Sequence, residues 1–379
     1  MIRFLKILLL LLTLLVVSIP LIQQQFKFIP DNCTLSGAFN EATDTTLNYS
    51  TWFNRNYQGK KELYLNENFG FRNFLVKLYK QIDFSFFKEI NLPDVFIGKN
   101  DYLFSSSFFN CYSGRVYKGD KFSDSVFTNV QRLNDWLVAR NKKLLLCITP
   151  SKESFYSEFL PDSCLPFINK KNYYSYYKQK ALSNNIPLLD FNTYFLQIKK
   201  KSPYLLFNKN GLHWTTYGTY LALDSLLKKM SSELNKKLNL IRLSSFTLSD
   251  SAMYTDDDIG ETMNLLSKIK SEKLAYPKVE YVYNQDSCYK PKVMIIGDSF
   301  YQSISTTWIP SSFFSKESWF LYYLTLAIPY DPNKKNEPYS KTDLEKELEN
   351  TDIVLFFFSV GRLDEFSKHV KTLTLNDKT

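Results

Sequence analysis

The chain has 379 residues, of which 44% are hydrophobic and 22% charged. That balance excludes a disordered polymer and leaves room for one large α/β domain with insertions, or for two small domains. Its formal charge of +9 favours an acidic polymer or a membrane surface as partner, but the lysines are scattered in pairs and build no nucleic-acid-binding module.

From the N-terminus, Phe4 to Ile22 is apolar except for Lys6, Thr13, Ser18 and Pro20. As a helix it spans roughly 28 Å, close to the hydrocarbon thickness of a bilayer. Arg3 and Lys6 precede it, so the N-terminus is expected in the cytoplasm and the remainder exported. Gln23-Gln24-Gln25 is a poor cleavage site, which favours an uncleaved signal anchor over a removed signal peptide. The expected division is an anchor at 1–28, a stalk or early lobe at 29–62, and one domain at 63–379 with an insertion around 231–290.

Helical periodicity runs from Leu63 to Ile82. Asp94–Gly98 and Tyr102–Phe104 read as a hairpin turning at Lys99-Asn100-Asp101. Ser123–Asn141 reads as a helix and Lys143–Thr149 as a buried strand, followed by the loop Pro150–Glu153. Asn172–Asn184 is helical and Ile186–Asp190 a short strand. A helix follows His213, capped by Thr215 or Thr216. Residues 231–290 are the least regular stretch. Val293–Ile296 and Ile353–Phe358 are apolar enough for central strands, Trp319–Leu326 reads as one more, and Pro329–Ser340 as a surface loop. Strands alternating with helices predict a mostly parallel sheet covered on both faces. The five cysteines match no metal-binding spacing. Cys147 reads as a buried thiol, and Cys111 with Cys164, or Cys33 with either, are candidates for pairing.

The chemistry concentrates in two blocks. Gly297-Asp298-Ser299-Phe300 follows the strand Val293–Ile296, and Tyr301–Trp308 can continue as a helix. Strand, sharp turn, serine and helix make a nucleophile elbow; the same residues also serve as an ordinary helix cap. Of the two histidines, His369 lies in a polar tail and reads as solvated. His213, in Asn210-Gly211-Leu212-His213-Trp214, precedes a helix whose positive end keeps the ring neutral and available as a base. It reads equally as a buried histidine bonded to the backbone until a serine is placed beside it.

These residues resemble the AlgX/AlgJ-type SGNH hydrolase-like domain of polysaccharide O-acetyltransferases, from about Asn66 to Gly361. The landmarks come in order: Val95-Phe96-Ile97-Gly98 with Asp101-Tyr102-Leu103-Phe104, Thr149-Pro150-Ser151-Lys152 with Tyr156, His213-Trp214 with Gly218, and Gly297-Asp298-Ser299-Phe300. The resemblance implies a three-layer SGNH-like α/β fold behind one transmembrane helix, on the periplasmic or extracytoplasmic side of the inner membrane. It implies Ser299 as a nucleophile that carries an acetyl ester, His213 as its base, a polysaccharide acceptor, and a membrane-bound acyltransferase as acetyl donor partner. No cofactor, metal or nucleic acid is implied.

One position departs from the family. Its catalytic carboxylate lies two residues before the histidine, and here that residue is Gly211. Asp258, in a turn-like Asp-Ile-Gly setting between the two blocks, is the substitute acid; the other reading is a solvated acidic loop. Lys152, Trp214 and Arg362 are the candidate substrate-binding residues. Three functions stay open: an O-acetyltransferase, a carbohydrate acetyl-esterase with water as acceptor, and a glycan-binding or assembly subunit that lost its acid.

Overall fold

The computed structural model describes residues 2–30, 33–37, 42–54, 56–169, 171–307, 309–339 and 344–372. Arg55, Trp308, Ser340 and the tail beyond Thr372 lie outside them. The chain forms two compact units: Met1–Leu92 with Gly260–Lys268, and Pro93–Ile259 with Ile269–Thr379.

In the first unit, Arg3–Phe26 is, among the described residues, the one helix long and apolar enough to cross a membrane. The predicted helix Leu63–Ile82 is two helices, Asn56–Asn68 and Arg72–Ile82. Phe71, at φ +60°, breaks the run between them, because a left-handed residue cannot continue a right-handed helix. Within this unit the Asn264 side chain ties the two segments together, accepting from Ser36 N at 2.6 Å and donating to Ser36 O at 3.0 Å.

The second unit is built on strands β1 (Val95–Ile97), β2 (Leu103–Ser105), β3 (Lys143–Thr149), β4 (Leu188–Asp190), β5 (Ile241–Ser249), β6 (Leu274–Tyr281), β7 (Val293–Gly297), β8 (Trp319–Tyr322), β9 (Leu326–Pro329), β10 (Glu337–Pro338) and β11 (Ile353–Ser359). Among the described residues they form a seven-stranded sheet in the order β10-β9-β8-β7-β11-β3-β4 and two hairpins, β1-β2 and β5-β6. Strands β8, β7, β11, β3 and β4 are mutually parallel; β9 and β10 pair antiparallel at one edge.

Why these runs sit centrally follows from alternation. Ile353, Leu355 and Phe357 of β11 point into one apolar core, and Val354, Phe356 and Phe358 into the other. A strand with both faces covered needs apolar residues at every position. The helices Phe191–Ile198 and Thr216–Leu234 cover the first face; Asp120–Val138 and Tyr173–Ser183 cover the second. The three layers and the mostly parallel sheet agree with the predicted fold class.

Four local expectations are corrected. Trp319–Leu326 is not one strand: Tyr323 and Leu324 take φ of +49° and +51°, which reverses the chain into β9. The irregular stretch 231–290 contains the long hairpin β5-β6, whose exposed first strand carries no burial pattern. His369 is buried, on the helix Phe366–Thr372, with its ring stacked 5.0 Å from Phe358. Cys111 and Cys164 are separate thiols, because they pack against cores on opposite faces of the sheet.

Candidate active site

Strand β7 ends at Gly297, where the chain turns directly into the helix Ser299–Ser305. An added Cβ at Gly297 would stand 2.7 Å from the carbonyl oxygen of Phe357, so only glycine lets β7 lie this close to β11 at its end. Asp298 caps the helix. Its Oδ1 accepts from Phe300 N at 3.0 Å and its Oδ2 from Ser359 N at 2.7 Å, tying the turn to the end of β11. Capping and elbow therefore coexist: Asp298 fixes the turn and Ser299 stands half-buried beyond the strand end, where open α/β sheets place their ligands.

His213 arrives from a different element. Thr215 caps the helix Thr216–Leu234 by accepting from Gly218 N at 3.2 Å, and His213 lies just before that cap. Its Nε2 is 2.8 Å from Ser299 Oγ and its Nδ1 is 2.5 Å from Asp258 Oδ2. A carboxylate only accepts, so Nδ1 carries the proton and Nε2 is left to accept from the serine hydroxyl. The ring packs against Phe300 with centroids 4.9 Å apart. Burial pushes the His213 ring down, but the charge and hydrogen bond of Asp258, with the charge of Asp298, outweigh it and raise the ring above the ordinary histidine value.

Asp258 is held by three bonds. Besides His213, its Oδ1 accepts from Leu212 N at 2.6 Å and from Ile259 N at 3.0 Å. Asp256 locks the same loop by accepting from Thr216 N at 2.8 Å and Thr216 Oγ1 at 3.1 Å; burial pushes Asp256 up to about 6. Gly211 is the other half of this arrangement. A Cβ built there would meet Asp256 O at 2.8 Å and lie 3.6 Å from Asp258 Oδ1. The space that a side chain at 211 would fill is taken by the loop that brings Asp258.

Two expected substrate contacts are placed elsewhere. Trp214 is sealed in the core among Phe191, Phe195 and Phe300, and its Nε1 donates to Ser303 Oγ at 2.6 Å. It joins the serine-bearing helix to the histidine segment and does not reach solvent. Lys152 is fully buried, and its Nζ donates to the carbonyls of Lys209 at 2.5 Å and Gly211 at 2.8 Å. A cation sunk this deep does not meet a sugar; burial pulls its pKa down to about 7. Arg362, in contrast, does line the cleft, over the Phe108 ring at 4.9 Å and 3.8 Å from Glu365.

That cleft has a volume of about 520 Å³ and opens to solvent. Gln302, Tyr322 and Tyr323 line it beside Ser299 and His213, and sequence reasoning missed all three. Gln302 could have been found by helical spacing from Ser299. Tyr323 had no signal, because its left-handed turn is written in residues that rarely adopt one.

The family model described as SGNH hydrolase-like domain, acetyltransferase AlgX, matches residues 95–306. A curated relative, the probable alginate O-acetylase AlgJ of Pseudomonas putida, is 23% identical over 172 residues, which are 45% of this chain and 43% of the relative; the chain thus spans less than half of that protein's length. Similar solved structures include the O-acetyltransferase domain of Pseudomonas putida AlgJ, at 15% identity and TM-score 0.43 over 72% of this chain and 93% of that one. Bacillus cereus PatB1 with a sulfonyl adduct is similar at 14% identity and TM-score 0.47, over 73% of this chain and 98% of that one. With a match across more than half of its length, this chain belongs to the AlgX-type family of SGNH hydrolase-like acetyltransferase domains.

Proposed function

We propose that this protein is a serine-dependent O-acetyltransferase acting on hydroxyls of an exported or cell-surface polysaccharide. The observation that carries the reading is the unbroken line Asp258–His213–Ser299 in an open cleft. Ser299 Oγ attacks the acetyl carbonyl of a donor while His213 Nε2 takes its proton. The Ser299 backbone N–H, at the positive start of its helix, is the donor we assign to the oxyanion. The tetrahedral intermediate collapses, His213 returns the proton to the leaving group, and an acetyl ester stays on Ser299. A sugar hydroxyl then gives its proton to His213, attacks that ester, and leaves with the acetyl group as Ser299 recovers its proton.

Arg362 and the paired rings of Tyr322 and Tyr323 are the surfaces we assign to the acceptor, since aromatic faces stack on sugars and a guanidinium donates in a fork. The apolar helix supports an anchored, exported protein, with residues 1–28 as the anchor, supplied with acetyl groups by a membrane-bound acyltransferase. The reading of an assembly subunit that lost its acid loses its motive, because a carboxylate stands at His213 after all. The test is turnover of an artificial acetyl ester with and without an oligosaccharide acceptor. Acetylated sugar, absent from Ser299→Ala, supports transfer; free acetate at an equal rate with or without sugar supports the esterase; turnover unchanged in Ser299→Ala overturns both.

A further inference from the structure

The peptide group between Gly211 and Leu212 is gripped at both ends. Its carbonyl accepts from Lys152 Nζ at 2.8 Å, and its N–H donates to Asp258 Oδ1 at 2.6 Å. The other oxygen of Asp258 meets His213. Contacts therefore run without a break from an amine, through one peptide, one carboxylate and one imidazole, to the serine hydroxyl. A donor on a peptide carbonyl draws electron density from the attached N–H, and chains of such bonds polarise one another where the dielectric is low.

Lys152 has little other business in the molecule. It is fully buried over the rings of Tyr102 and Phe104, at 5.7 and 5.6 Å, and its second bond goes to the carbonyl of Lys209 on the same turn. The charged groups around it are Glu153, Asp258, Asp257 and Lys209. Nothing of it reaches the cleft, so it acts through another group or not at all.

We propose that Lys152 is a positioning residue for acyl transfer: by gripping the Gly211–Leu212 peptide it orients and polarises the N–H that holds Asp258 against His213. This inference rests on the assignment of Ser299, His213 and Asp258 above. It also supplies a reason for the arrangement. An acid on the histidine's own turn is positioned by the turn, whereas an acid brought by a separate loop needs the turn to reach out and hold it.

The experiment uses the full chain, the artificial acetyl ester and an oligosaccharide acceptor, with competent sites counted by covalent titration of Ser299 with a sulfonyl fluoride. Lys152→Met keeps the stem and removes the donor. Expected is a fall of roughly tenfold or more in kcat per titrated site, the kinetic equivalent of one hydrogen bond to a charged group. KM for the ester should hold, and the acid limb of kcat should move to lower pH as Asp258 loosens its hold on the ring. The double variant with Asp258→Asn should be no slower than Asp258→Asn alone. A kcat per site and an acid limb equal to the parent's, or effects that multiply in the double variant, overturn the inference.

If Lys152→Met gives no titratable site, the Leu212 amide proton of the unaltered chain decides. It should resonate far downfield and move upfield in Asp258→Asn; an ordinary position in both overturns the inference. Ser299→Ala separates the layers. If it is titrated and turns over like the parent, the underlying assignment fails; if it is inert while Lys152→Met behaves as the parent, only the role of Lys152 falls.

Discussion

The two histidines lie in the same unit and both are largely withdrawn from water, yet they titrate in opposite senses. Burial pulls His369 down to about 4, with only the charge of Glu365 resisting. Around His213 burial pulls in the same direction, but the Asp258 carboxylate reverses the outcome. His369 faces Phe358 and Tyr323, and among the described residues its buried Nε2 has no hydrogen-bond partner. The difference teaches that seclusion alone does not make a base. One carboxylate at Nδ1 separates a ring able to take a proton from a ring that merely fills space.

The sharpest way to break the comparison is at its functional end. Ser299→Ala should reduce kcat on an acetyl ester by roughly 10⁶-fold, measured beside unchanged circular dichroism; appreciable turnover would place the chemistry elsewhere. Asp258→Asn should cost about 10⁴-fold. It should also shift the acid limb of the pH–rate profile to lower pH, since burial is then the dominant influence left on His213; a limb that stays put would deny Asp258 its part. Gly211→Ala is a milder blow. Its Cβ meets the Asp256 carbonyl at 2.8 Å, so the loop must shift, at a cost of about 1–3 kcal/mol in stability and a partial loss of activity. Both are read by denaturant titration and initial rates.

The smallest effect on turnover belongs to His369→Phe, which should leave kcat unchanged and alter only acid stability. With the folded value near 4 against an unfolded value near 6.5, the unfolded chain binds the proton first. The native state therefore loses stability as pH falls from about 6.5 to about 4, by roughly 3 kcal/mol at the end of that window. His213 works the other way: its raised folded value contributes stability that is present below about 6.5 and fades as pH rises through the folded value. Removing His369 should flatten the acid side of the stability profile; a profile identical to the parent's would refute the burial argument.

Much of this was legible in the residues, and what was not has physical causes. Strands β3, β7 and β11 announce themselves because central strands are apolar at every position. The hairpin β5-β6 does not, since its first strand is exposed along most of its length. Burial of His369 was hidden by the lysines on either side, although Phe366 and Val370 at helical spacing mark the covered face. The Ser299–His213 pair followed from turn chemistry and motif order, and Asp258 from its turn-like Asp-Ile-Gly setting between the two blocks once Gly211 was seen to carry no acid. Lys152 and Trp214 were misplaced because a motif fixes where a residue stands along the chain, not whether it looks inward. Only packing decides that, and the ring cluster around Trp214 draws on Phe191, Phe195 and Phe300.

The excursion between Ser249 and Leu274 has a thermal consequence. Serine and imidazole ride on a sheet end and a capped helix, whereas Asp258 rides on a connector held by its three polar bonds and by the buried side chain of Ile259. Local opening of such a segment takes less free energy than melting the sheet. On gentle warming the proposed activity should therefore fall silent while the core is still intact, and recover fully on cooling.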